Sequence, residues 1–62
     1  MLKPDTRARV RMDATLEEKR FRGRTGTVGR QLPTGLVWFK LDAMVDGFAT
    51  IIVHPESLEE IT

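Results

Sequence analysis

The side chains that could do chemistry are the cations of the first half of the chain. Arg7, Arg9 and Arg11 alternate along one stretch, and Lys19, Arg20, Arg22, Arg24 and Arg30 follow around a pair of glycines. A guanidinium presents a planar fork of donors that fits a phosphate bidentately. Phosphate contacts of this kind give an affinity that falls with salt and does not read bases. Trp38 is the single tryptophan. An exposed tryptophan beside cations can stack a base, worth ~1–3 kcal/mol per base in single-strand binders. It can equally anchor a protein interface, where tryptophan is enriched. The competing account of the arginines is a solvated face balanced by Asp13, Glu17 and Glu18, and that of Trp38 is a ring covered by the 13–20 connection.

The remaining reactive residue types do not assemble. His54 is the sole histidine, and with Glu56 nearby it offers too few ligands for a metal, which usually takes three or four. Ser57 has no base in reach, since His54 lies on the same short turn, and its hydroxyl is expected to bond locally to backbone. Glu17-Glu18 and Glu59-Glu60 are adjacent pairs whose side chains diverge. Gly23, Gly26 and Gly29 are spaced by three, but no long helix follows to make a phosphate loop. With no cysteine, thiolate chemistry and disulfides are excluded. The expectation is a non-enzyme with no catalytic residue, no metal site and no cofactor.

These residues are carried on short strands. Arg7 to Met12 alternates strictly, placing Ala8, Val10 and Met12 on one face and the three arginines on the other, as a half-buried strand does. Phe21-Arg22-Gly23-Arg24-Thr25-Gly26-Thr27-Val28 reads as a tight basic turn feeding a second strand over 25–32. Gly23 allows the sharp bend, Gly26 marks a bulge or a close backbone approach, and Val28 points inward. Residues 13–20 form a long polar connection, with Leu16 tucked towards the core. Pro33-Thr34-Gly35 is a turn. In the third strand, 36–41, Val37, Phe39 and Leu41 face inward and Trp38 and Lys40 outward. Asp46-Gly47 is a hairpin signal at the end of a 42–47 connection. Phe48 to Val53 is a fourth strand, with Phe48 and Ile52 opposite Ala49, Ile51 and Val53. A strand apolar on both faces is either central or covered by a partner. His54 to Leu58 is a 3₁₀ turn, and Leu58 and Ile61 return to the core in a short last strand.

The expected fold class is therefore all-β: one five-stranded, partly open barrel spanning 1–62, with 1–5 a loose lead-in and a short 3₁₀ turn before the last strand. The 62 residues make one domain with a modest core, and 40% apolar content argues against disorder. Residues 1–30 carry nine Lys/Arg against four Asp/Glu, and residues 31–62 carry one against five. Such asymmetry suggests an electrostatic partner, unless the fold interleaves the halves. No apolar run approaches a membrane span and no secretory apolar region opens the chain, so no membrane partner and a cytoplasmic location are expected.

The Ala8-Arg9-Val10-Arg11 strand, the Arg22 to Val28 turn and strand, the Trp38-Phe39-Lys40-Leu41 strand and the Pro55 to Ile61 segment together resemble the SH3-like small barrels, and among them the KOW-type module. That resemblance implies binding: KOW modules dock on RNA or on protein. The 13–21 connection is longer and more charged than the short turn of the ribosomal type. A long first loop is similar to that of stand-alone SH3-like proteins. A bacterial antirepressor of carotenoid synthesis shares an Arg-Phe-x-Gly-x-Thr-Gly-x-Val run, present here as Arg20 to Val28, and implies protein capture. An accessory subunit of photosystem I and the variable chain of ferredoxin–thioredoxin reductase look broadly similar and imply docking to a larger complex. The plasmid-borne dihydrofolate reductase is another small barrel, but its Val-Gln-Ile-Tyr run reads Ile51-Ile52-Val53-His54 here, so that activity does not transfer.

The expected function is a non-catalytic binding module. Nucleic acid, RNA or DNA, is the first expected ligand, through Arg7, Arg9, Arg11, Lys19, Arg20, Arg22, Arg24, Arg30 and Trp38. The alternative is a regulatory or accessory protein-binding subunit using Leu16, Trp38, Phe48 and Ile52. The chain itself is expected to be a monomer or a weak homo-oligomer.

Overall fold

A computed structural model describes residues 3–14 and 16–61, the side chains of 16–18 excepted. Five antiparallel strands run β1 (Arg7–Val10), β2 (Thr25–Gln31), β3 (Val37–Val45), β4 (Phe48–Val53) and β5 (Leu58–Glu60). They form one unclosed sheet in the order β4-β3-β2-β1-β5, so β4 and β5 are its edges. Its extents of 25 × 22 × 20 Å are too even for a flat sheet, which is about 10 Å deep with its side chains. The sheet is therefore curled around its own side chains. Two 3₁₀ segments interrupt the strands, Leu16–Phe21 in the first connection and Pro55–Ser57 immediately before β5, the latter where the sequence places it. Among the described residues no helix is long and apolar enough to cross a membrane.

Period-two alternation decides which side chains enter the core. Ala8 and Val10 of β1, Val28 of β2, Val37, Phe39 and Leu41 of β3, Ile51 and Val53 of β4 and Leu58 of β5 are all buried together. Phe39 is the largest of the fully enclosed side chains. Ala14 and Phe21 join the same core from the first connection.

Gly26 is the point of close approach anticipated from the sequence. It sits between Ala8 of β1 and Leu41 of β3. A Cβ there would collide with the Lys40 carbonyl oxygen and come within 2.9 Å of the Phe39 ring. The register irregularity of β2 lies further along, between Val28 and Gln31. At the β3–β4 hairpin, Asp46 and Gly47 have φ of 52° and 84°, both positive as a type I′ turn requires.

Several expectations are corrected. Met12 is 70% exposed rather than inward. β1 ends at Val10, the Arg11 amide donates to the Ser57 carbonyl, and the Ala14 amide closes a turn back onto Arg11, which breaks the alternation. Residues 42–45 are strand rather than connection, because a two-residue turn lets both strands run up to it. The Asp5 amide donates to the Val28 carbonyl at 2.7 Å. The position anticipated for Leu16 concerns a side chain outside the described residues.

The two glycines predict different penalties. Gly26→Ala must push β2 and β3 apart, an overpacking cost of ~1–3 kcal/mol or more. Gly47→Ala meets no atom within 4 Å and carries only the left-handed backbone penalty of roughly 1–2 kcal/mol. Urea denaturation followed by Trp38 emission should place the Gly26→Ala midpoint well below that of Gly47→Ala. Equal midpoints would show that the β2–β3 approach is not tight at Gly26.

Candidate functional site

The three arginines of the first strand region point outward, as their parity requires, and each already has an anionic partner. Arg7 makes a bidentate pair with Asp42 of β3, both contacts at 2.6 Å, and also donates to the Thr27 hydroxyl at 3.2 Å. The Thr25 hydroxyl donates to the same carboxylate at 2.6 Å. Arg9 donates to Glu59 of β5 at 2.7 Å, and Arg11 to Asp13 at 2.9 Å. This lattice runs across β5, β1, β2 and β3 on the outer face. Register explains it: Arg9 lies between Thr25 and Glu59, and Arg7 opposite Thr27. A phosphate arriving on β1 would have to displace a carboxylate from each guanidinium.

Electrostatics follow from these contacts. The hydrogen bonds from Arg7 first, then from Thr25, hold the Asp42 carboxyl well below its ordinary value of 3.8. The hydrogen bond from Arg11 lowers Asp13 in the same way.

The other cations are scattered. Arg22 turns to the connection and donates to the Ala14 carbonyl from both Nε and Nη2. Arg24 and Arg30 are exposed and enter no ion pair among the described residues. Lys19 is exposed on the first 3₁₀ segment. Arg20 does something different: its guanidinium lies 5.9 Å from the centroid of Phe21 and 5.8 Å from that of Phe48. The two rings meet edge to face at 6.0 Å and 87°, the geometry aromatic quadrupoles favour.

Arg20 and Phe48 line an open groove of about 420 Å³. Trp38 and Ile52, paired across β3 and β4, line it with Thr50, and Phe21 and Ile51 reach it from the core. Trp38 is 37% exposed, Phe48 45% and Ile52 43%. Trp38 is thus partly covered, and β2 approaches it closely at Gly29, where a Cβ would come within 2.9 Å of the Trp38 Cβ. The structure brings together Trp38, Phe48 and Ile52 from the protein-interface set and Arg20 from the basic set. Phe21, Thr50 and Ile51 are lining residues that the sequence did not single out. Parity marks Thr50 as outward, but the meeting of Phe21 with Phe48 leaves no local signal.

His54 is exposed at the end of β4, and Ser57 is buried in the second 3₁₀ segment, its amide donating to the His54 carbonyl. No cluster of three metal-ligating side chains occurs among the described residues. Compared with known proteins, the chain matches no family model, no curated protein and no solved structure.

Because Asp42 and Asp13 titrate below their unfolded values, the stability they contribute is complete above about pH 5 and is lost as pH falls through the folded values. Carbon-detected NMR should find the Asp42 carboxylate still ionised at pH 3, and Arg7→Gln should move its midpoint up towards 3.8. An unchanged midpoint in that variant would remove Arg7 as the cause.

Proposed function

We propose that the chain is a non-catalytic binding module that takes a protein segment in the Trp38–Phe48–Ile52 groove. The observation that supports this most is the gathering of three large, exposed apolar side chains on and beside an edge strand. Contiguous exposed apolar surface of this kind characterises interaction sites, and an unpaired strand edge invites another chain. The pattern of β4, apolar on both faces yet not central, fits a strand that a partner covers. The SH3-like, KOW-type reading belongs to the same proposal. It draws on the five strands, the 3₁₀ turn before β5 and the bend at Gly23, whose φ is 79°.

Nucleic acid is the second reading, favoured by Arg24 and Arg30, which have no carboxylate partner among the described residues. It is weakened at and just beyond β1, where Arg7, Arg9 and Arg11 are all engaged.

Selection of random phage-displayed peptides on the intact chain, beside titration with a mixed single-stranded RNA and DNA pool, separates the two. Selected peptides should change Trp38 emission saturably and lose at least about tenfold in affinity with Ile52→Glu, a central apolar contact being worth more than ~1 kcal/mol. Arg24→Ala with Arg30→Ala should leave them unaffected. A saturable, salt-sensitive response to the nucleic-acid pool that disappears in the arginine double variant would overturn the protein reading.

A further inference from the structure

The two edges of the sheet are built differently. β5 is three residues long and carries Glu59 and Glu60, the short, charged form that discourages pairing with another chain. β4 is six residues, Phe48-Ala49-Thr50-Ile51-Ile52-Val53, with no charge, proline or glycine. Its backbone pairs with β3 on one side only. Unlike β5, it is neither short nor charged, and its one irregularity is the register shift of β3 between Lys40 and Val45.

Two cations stand beside this edge. Arg20 stands over the Phe48 ring at 5.8 Å. Lys40 is exposed on β3, in register with Thr50 of β4. Neither enters an ion pair among the described residues, and the described lining of the groove includes no carboxylate. The arginines of β1, by contrast, are all paired with Asp or Glu. Two of the cations that enter no ion pair among the described residues thus lie beside the open strand edge.

We infer that β4 accepts an extended, acidic peptide segment of a partner protein as a sixth strand. This rests on the protein-docking reading of the same groove and names the partner's chemistry. Main-chain hydrogen bonds along the edge supply affinity in strand addition, and side chains at alternate positions supply specificity. Apolar residues of the segment pack on Phe48 and Ile52, and its carboxylates face Arg20 and Lys40. A second copy of this chain fits less well, because its own β4 brings no carboxylate to either cation. A nucleic acid offers no backbone amides to complete the edge.

The test uses a capped synthetic nonapeptide, Val-Thr-Glu-Thr-Val-Thr-Glu-Thr-Val, whose valines and glutamates share one strand face, and its counterpart with lysine in place of glutamate, titrated against the intact chain by Trp38 emission. The glutamate peptide should bind about tenfold or more tightly than the lysine peptide. Arg20→Gln with Lys40→Gln should remove about tenfold of that affinity, as charge-assisted contacts do. Of two glutamate peptides N-methylated on alternate amides, the one methylated on the amides that face β4 should fail to bind and the other should bind. Equal binding of the lysine peptide, or binding of both methylated peptides, overturns the inference. So does a concentration-dependent dimer of the chain that Ile52→Glu abolishes, which makes a second copy the occupant. Phage-selected peptides that require Ile52 but carry no acid overturn this inference and leave the docking reading standing. Selected peptides indifferent to Ile52 overturn both.

Discussion

The structure depends on how β2 and β3 close upon the Phe39 ring. Gly26 has no side chain, so the Lys40 carbonyl and Phe39 can approach it directly. Val28 and Phe39 then pair across the ladder, both buried. A chain of 62 residues has interior space for little more than this. Valine and alanine fill most of the remaining core positions around the Phe39 ring. That limit sends Trp38, Phe48 and Ile52 to the outside, where they become surface available to a partner.

The outer face divides into two regions of different character. Around β1, cation and anion are interlaced: Arg7 with Asp42, Arg9 with Glu59, Arg11 with Asp13. Two of these pairs join the basic first half of the chain to the acidic second half, so part of the charge asymmetry along the sequence cancels in space. Such exposed pairs contribute little to stability because solvent screens them. Their larger effect is to occupy donors that would otherwise meet phosphates. Around β4, charge is sparse and uncompensated, and apolar surface is exposed. A binding role is therefore better placed at β4 than at the run of arginines that dominates the sequence.

Much of the fold was legible before any coordinates. Strict alternation located Ala8, Val10, Val37, Phe39 and Leu41 inside and Trp38 and Lys40 outside, because side-chain direction in a strand is a local property of period two. Asp46-Gly47 announced its hairpin because few residue pairs tolerate two consecutive positive φ values. Met12 failed the same rule, since alternation says nothing about where a strand stops; the hydrogen bond from the Arg11 amide to the Ser57 carbonyl, far along the chain, decided that.

The candidate site was legible only in its components. Trp38, Phe48, Ile52 and Arg20 were each visible as residues with more to offer than a core position needs. That Arg20 stacks on Phe48, that Arg7 is claimed by Asp42, and that β4 rather than β1 lies at an edge all follow from strand order and register. The sequence by itself determined the all-β class, the inward set and the turns, because each rests on dihedral preference and period within a few residues. The tertiary structure alone decided which charges are paired and which strand edge is open, because those depend on neighbours brought together from distant parts of the chain.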